Sequence, residues 1–489
     1  MKRAITLLTV VHRYLGLVLC LIFVIWFASG IVMVYARMPE YGAAERLARL
    51  APLDPRSIHL TPAQALEHAQ LGGAPSRIQL STLKGRPVYR FLVQDEWVSV
   101  FADDGALLEP ISAQQALEIV GDAFAGEHAD TRVIKTIREP DQWTIETPFP
   151  STGPLHVVAL GDAAATELYV ASNTGEIALK TDRASRFWGY AGPVMHWFYF
   201  RPLRVRGPLW ANLIVYGALV GCVLCLLGLT IGAYRYSLQR RYHHGTSATP
   251  YAGWLKWHHY AGLIFGVITF TWLFSGMLSM EPWGISEEAS PEPEQVTAIR
   301  GSGVDAARFA VTPQQALAVM QAGRSVKELD LIQFLDSPFY RMQGADGAVR
   351  LVAADREPAV LSGFSEAELL VAARGAMPGD AIQETAWLTT YDSYYYDRAS
   401  ERPLPVLRVK YADASGTWLY LAARDGAVLQ RETAHGRPIR WLYRGLHSLD
   451  FPGLYQAGRL WDVTVVTLCA GGLLLSMTSV IVGWRFLRK

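Results

Sequence analysis

Residues 11–16 read Val-His-Arg-Tyr-Leu-Gly, and residues 257–262 read Trp-His-His-Tyr-Ala-Gly. Each copy opens a long apolar run. Each has a tryptophan 14 residues after its first histidine, Trp26 after His12 and Trp272 after His258. Each ends near a Ser-Gly pair, Ser29-Gly30 and Ser275-Gly276. Two further apolar runs complete the pattern, so that 14–36, 209–233, 260–280 and 463–484 are almost free of charge. Each is close to the ~20 residues with which a helix crosses a bilayer core of ~30 Å. The reading is a membrane α-helical protein with four spans.

The composition agrees. The chain has 489 residues, 51% of them apolar, and only 18% are charged, against the ~25% of soluble domains. That deficit sits in the four runs. A net charge of +1 gives no reason to expect nucleic acid as a partner. The first run follows Lys2 and Arg3, as a signal peptide would. It exceeds the 7–15 apolar residues of a signal core, and no small-x-small cleavage site follows, so the expectation is an uncleaved helix. All four cysteines, Cys20, Cys222, Cys225 and Cys469, lie in apolar runs. Cys222 and Cys225 have CxxC spacing but no polar neighbours, and read as small packing residues. The polar segments hold no cysteine, so disulfides are not part of their design.

Four spans divide the chain into a first span (1–36), a polar region (37–208), a second span (209–235), a short loop (236–254), a third span (255–281), a second polar region (282–459), and a fourth span with its tail (460–489). Lys2 and Arg3, then Arg235, Arg240, Arg241 and Lys256, then Arg485, Arg488 and Lys489 all fall on one side. The positive-inside rule makes that side cytoplasmic and the polar regions extracytoplasmic. Arg201, Arg204 and Arg206 go against the rule and need another reason to be where they are.

The polar regions repeat. Leu60-Thr61-Pro62 returns as Val311-Thr312-Pro313, Pro87-Val88-Tyr89-Arg90 as Pro338-Phe339-Tyr340-Arg341, and Leu168-Tyr169-Val170 as Leu419-Tyr420-Leu421, all at an offset of 251. A shared offset over that distance indicates a duplicated half. Within each half, Thr-Pro or Ser caps open short helices, and alternating strands such as 97–101 and 167–171 close on Asp-Gly or Asn-x-Gly turns. The expectation is small α+β modules, two per half, with 282–304 as a linker.

Twelve histidines are present. His196 and His447 form a second matched pair, 251 residues apart, each 14 residues before a tryptophan at the next span, Trp210 and Trp461. Two spans per half make the repeats parallel, related by an axis along the membrane normal. Equivalent residues then share a depth, so His12 can meet His258 near the cytoplasmic face and His196 can meet His447 near the outer face. Two facing imidazoles are what a six-coordinate haem iron takes as axial ligands. A single interfacial histidine is usually an ordinary amphipathic side chain, but two matched pairs of ionisable groups at a membrane point to function. His259 has Arg13 at its equivalent position and no partner. His243 and His244 sit in the loop. His59, His68, His128, His156 and His435 lack metal-ligand spacing. Gly16, Gly30, Gly262 and Gly276 would admit a macrocycle or a neighbouring helix. Arg201, Arg204, Arg206 and Arg459 suit haem propionates or lipid headgroups, and Asp462 suits a proton or hydrogen-bond role.

With His12-Arg13-Tyr14-Leu15-Gly16-Leu17 and Ser29-Gly30, their second copy from His258 to Gly276, and Leu446-His447-Ser448 ahead of Gly458-Arg459-Leu460, the chain resembles the PepSY-associated transmembrane proteins of bacteria. That family includes iron-regulated inner-membrane proteins and ferrisiderophore reductases. Leu419-Tyr420-Leu421 and Tyr391-Asp392-Ser393-Tyr394-Tyr395-Tyr396 resemble its external domain. Where the second half has the more typical Gly-rich stretch, the first has Met195-His196-Trp197 and then Arg-Pro-Leu-Arg-Val-Arg. The resemblance implies haem b in the membrane and periplasmic PepSY-like α+β domains. The two histidine pairs make that two haems, held by His12, His258, His196 and His447. The resemblance also implies electron delivery to a ferric siderophore or other ferric chelate from a separate donor, a quinol or a flavoprotein, in the inner membrane. Tyr391, Tyr394, Tyr395 and Arg398 are the candidate acceptor-binding residues, with a buried aromatic strand face as the plain alternative. The rival functions are a non-enzymatic PepSY sensor or binding protein and a siderophore transporter.

Overall fold

The computed structural model describes residues 2–124, 130–147, 152–237, 248–284, 290–320 and 325–488. His128, Arg240, Arg241, His243 and His244 lie outside the described residues. The chain forms two compact units, each assembled from separated stretches: Met1–Met38, Ser185–Glu288 and His435–Lys489 make the first, and Pro39–Ala184 with Ala289–Ala434 make the second.

The first unit contains four helices, spans one to four: Lys2–Met33, Gly207–Arg235, Trp254–Leu278 and Arg459–Leu487. Each is long and apolar enough to cross a membrane. Glycine sets their approach. A Cβ on Gly471 would fall 2.1 Å from the Phe265 ring, and one on Gly472 2.2 Å from the Phe27 ring. Leu17 packs on Gly483 and Leu263 on Gly232. Span one therefore lies against span four, and span three against span two, with the start of span one beside the end of span four.

The second unit holds helices α1 (Pro62–Ala69), α2 (Ala113–Ala123), α3 (Pro313–Ala318) and α4 (Glu366–Ala376). All four open on a capping box, with Thr61, Ser112, Thr312 and Ser365 as caps. Strands β1 (Arg77–Leu83), β2 (Arg86–Val93) and β3 (Glu96–Phe101) follow α1. Strands β4 (Arg132–Ile137), β5 (Leu155–Ala159), β6 (Glu167–Ala171) and β7 (Ile177–Thr181) follow α2. The order recurs after α3 with β8 (Val326–Phe334), β9 (Ser337–Gly344), β10 (Val349–Ala353) and the short β11 (Val360–Leu361). After α4 come β12 (Ile382–Leu388), β13 (Val406–Tyr411), β14 (Trp418–Ala422) and β15 (Val428–Glu432).

The modules are not separate. β4 to β7 and β12 to β15 form two four-stranded sheets, but the remaining strands join in one seven-stranded sheet ordered β11-β10-β9-β8-β1-β2-β3. The join is antiparallel: Ile78 faces Leu331, Gln79 faces Asp330 and Leu80 faces Leu329. Each of these residues meets the counterpart of its own mirror position, so the seam has local two-fold character centred on Gln79 and Asp330. A three-stranded meander leaves β1 and β8 as bare edges, and pairing the two edges satisfies both. Alternation assigns the faces. Tyr89, Phe91, Tyr340 and Met342 enter one shared core, whereas Val88 packs with α2 and Phe339 with α4. The segment expected as a linker also folds in part. Pro293–Arg300 is a helix, and Ile299 is buried with Phe334, Phe339 and Leu369.

Candidate functional site

Spans one and three carry His12 and His258, and their rings face each other with centroids 6.3 Å apart. His196 and His447 stand outside the spans, each in a short helical turn, Met195–Trp197 and Leu446–Ser448. Each turn is preceded by one π-helical turn, Tyr190–Val194 and Trp441–Gly445, which inserts an extra residue and re-aims the histidine. Each is ended by a residue in the left-handed region, Phe198 at φ 54° and Leu449 at φ 53°. The His196 and His447 rings face each other with centroids 6.1 Å apart.

One local design holds the rings. His196 Nδ1 donates to the Trp26 carbonyl at 3.2 Å, with Ser29 Oγ also at 3.2 Å, and Gly30 leaves room for the ring. His447 Nδ1 donates to the Trp272 carbonyl at 3.2 Å, with Ser275 Oγ at 3.2 Å, and Gly276 leaves room in the same way. His12 Nδ1 donates to the Leu224 carbonyl at 3.1 Å, and its ring lies over Gly228. His258 Nδ1 has Thr478 Oγ1 at 3.2 Å and Ser479 Oγ at 3.3 Å, and both hydroxyls donate their own protons to the Leu475 carbonyl. In three cases an imidazole docks on a helix carbonyl from outside, and His258 docks on two hydroxyls that are themselves bonded to the Leu475 carbonyl. The residue four positions later is glycine in three sites and serine in the fourth, and the residue three positions later is Ser or Thr in three. A carbonyl only accepts, so Nδ1 carries the proton and Nε2 keeps its lone pair.

The repeated tryptophans hold the same pieces. Trp26 and Trp272 contribute their carbonyls. Trp210 Nε1 donates to the Trp197 carbonyl and Trp461 Nε1 to the Ser448 carbonyl, both at 2.8 Å. These bonds close the turns that carry His196 and His447.

The donor set fits a haem iron. A metal–imidazole bond is about 2 Å and the ring centre lies roughly 1 Å beyond, so two rings in line across one ion have centres about 6 Å apart. Fixing Nδ1–H on a carbonyl is the usual support for an Nε2 ligand. Among the described residues no group of three or more His, Cys, Asp or Glu side chains is gathered as a metal cage. Each pair supplies two donors, the number of axial positions a porphyrin leaves on its iron. All four rings are only partly buried.

The other polar residues divide clearly. His259 is buried, and both its nitrogens are used, Nδ1 with Thr249 Oγ1 at 2.7 Å and Nε2 with the Gly232 carbonyl at 2.9 Å. His59 binds the Asp103 carbonyl, and His156 binds Thr136 and the Ile111 carbonyl. Arg201 and Arg204 lie in the turn between His196 and span two, Arg206 caps that span, and Arg459 opens span four. Arg204 stacks over Trp210 with 4.6 Å to its centroid. Asp462 sits in the first turn of span four, where the helix dipole favours an acid.

The tyrosine segment has its aromatic side packed inward at Tyr395 and Tyr396. Tyr395 is fully buried, stacked on Tyr420 at 5.3 Å, and its hydroxyl donates to the Pro403 carbonyl. Burial pushes its phenol up to about 12. Asp392 caps Tyr394 and Tyr395 and accepts from Arg408 and Tyr420. Asp141 and Tyr169 make the same acid–phenol contact in the first half at 3.2 Å. Tyr395 thus belongs to the core it shares with Val406 and Tyr420, while Tyr391 and Tyr394 are half-buried and Arg398 is exposed.

Four apolar helices and a β-rich unit fit a membrane-embedded protein with separate β-sheet domains. The family model for the PepSY-associated TM region matches residues 9–357 and again 255–489, and the chain belongs to that family. No curated protein matches the chain.

Proposed function

We propose that this protein binds two b-type haems in its membrane unit and carries electrons outward across the bacterial inner membrane to reduce ferric complexes, ferric siderophores among them. In this reading both termini are cytoplasmic, the soluble unit is periplasmic, and the two halves are parallel repeats about an axis along the membrane normal. His12 with His258 would hold the inner haem, and His196 with His447 the outer. Haem iron at these sites would supply one-electron carriers at two depths.

The observation that carries the reading is the recurrence of one arrangement: facing imidazoles 6.3 and 6.1 Å apart, each with Nδ1 turned to a carbonyl or hydroxyl oxygen of a neighbouring helix. His12 and Trp26, whose carbonyl anchors His196, are 14 residues apart on one helix. At 1.5 Å per residue, that sets the two levels about 21 Å apart, which divides a bilayer core of ~30 Å into shorter gaps. The chain's own work is to fix the four rings, to keep water from them with apolar spans, and to offer Arg201, Arg204, Arg206 and Arg459 to propionates. Tyr391, Tyr394 and Arg398 remain candidates for contact with the acceptor. Oxygen chelators hold Fe(III) far more tightly than Fe(II), so one electron per iron loosens the complex. The electron donor would be a separate quinol or flavoprotein.

The test is a reduced-minus-oxidised spectrum of purified protein with haem counted per chain. Two low-spin haems are expected, and His258→Ala should remove one while sparing the other. Full haem content in all four single histidine variants would refute the assignment.

A further inference from the structure

The His12–His258 pair is held unequally. Thr478 and Ser479 both aim hydroxyl oxygens at His258 Nδ1, at 3.2 and 3.3 Å. Their own protons are spent on the Leu475 carbonyl, at 2.7 and 3.0 Å, so their lone pairs are what face the imidazole N–H. Two hydroxyl oxygens thus face one Nδ1–H. The corresponding positions beside the Leu224 carbonyl are Leu227 and Gly228, neither of which has a hydroxyl. His12 has that carbonyl, and a Cβ at Gly228 would lie 2.7 Å from its Cε1. The His196–His447 pair shows no such imbalance, since Ser29 and Ser275 serve the two rings alike at 3.2 Å.

Back-bonding to the preceding turn is the ordinary fate of Ser and Thr in helices, and Thr230 and Thr464 do only that. Thr478 and Ser479 differ in having a titratable ring N–H at hydrogen-bond distance on their other side. We propose that Thr478 and Ser479 are positioning residues for His258 that set electron donation at the inner centre and leave His12 as its more loosely held ligand. The inference rests on the proposed haem sites. An imidazole whose N–H is donated to more oxygens is the stronger donor to iron and favours Fe(III). Removing the hydroxyls should therefore raise the midpoint potential of the inner centre.

The experiment is an optical redox titration of purified haem-loaded protein. His12→Ala, which keeps only the outer centre, identifies the outer wave. In a Thr478→Val, Ser479→Ala double variant the inner wave should move upward, the outer wave should stay, and haem per chain should be unchanged. Thr478→Ser, which keeps a hydroxyl, should titrate like the parent. If the double variant loses the inner haem, the single variants Thr478→Val and Ser479→Ala are titrated instead, each with a smaller upward shift expected. An unmoved inner wave at full haem content, or equal shifts of both waves, would overturn the proposal. Absence of any low-spin haem signal in the parent would instead overturn the haem reading itself.

Discussion

At the scale of single residues, the site depends on where a side chain is missing. Gly228 lets the His12 ring lie against span two, and a methyl there would sit 2.7 Å from the ring, well inside contact distance. Backbone in a packed helix does not yield easily, so the ring must move. On the proposed two-haem reading, Gly228→Ala should cost the chain about half its haem, read from the pyridine haemochrome of purified protein, while Gly217→Ala, with no neighbour within 4 Å of the added atom, should keep all of it. The histidines and the Ser-Gly pairs were legible in the sequence because they repeat at fixed spacing. Where each ring would dock was not. The carbonyls of Trp26, Trp272 and Leu224 are backbone groups on other helices, and no local pattern records which helix carbonyl a distant ring will find. The π turns before His196 and His447 leave no periodic signature in five residues either.

Among the elements, strand limits were the easy part: β6 spans the expected 167–171 and β3 adds one residue to 97–101. The seam between β1 and β8 was invisible, because alternation fixes which face a residue occupies and says nothing about which edge will meet it. The seam is also charged. Asp330 accepts from Arg77 and Arg341, both at 2.9 Å, and Glu328 pairs with Arg46 and Gln79. Asp330→Ala removes the acceptor that two guanidinium groups share, while Arg77 keeps Glu328 at 3.8 Å and Arg341 keeps Asp425 at 3.3 Å, so the loss should be about 1–3 kcal/mol. Denaturant melting of the full-length protein followed by tryptophan fluorescence should show that loss. Tyr395 gives a second measure. Tyr395→Ser empties a fully buried ring site, at a cost of about 3–4 kcal/mol. Yield should fall while ferric reduction per haem stays at the parent value. Normal yield with slowed reduction would return Tyr395 to the acceptor site.

The whole molecule separates its charge as sharply as its hydropathy. The stretches of the membrane unit contain 19 Lys and Arg against 5 Asp and Glu, a net of +14, and those of the soluble unit 26 against 39, a net of −13. The near-zero total conceals both. A field of that sign over the soluble unit attracts cationic solutes and repels anionic ones, changing encounter rates by about 10-fold or more. The effect fades as salt shortens the screening length to ~8 Å at physiological strength. If the soluble unit is where ferric complexes arrive, their charge should govern the rate. Dithionite-reduced protein mixed with a cationic ferric trihydroxamate at low salt should reoxidise about 10-fold faster than with an anionic ferric citrate complex, the two being compared at matched driving force. Raising the salt should slow the first, speed the second and bring them together. His196→Ala, lacking the outer centre, should reoxidise slowly with both, which ties the effect to delivery at that end of the membrane unit. A faster reaction with the anionic complex at low salt would mean that acceptors dock on the arginine-rich membrane unit and that the acidic unit serves another purpose.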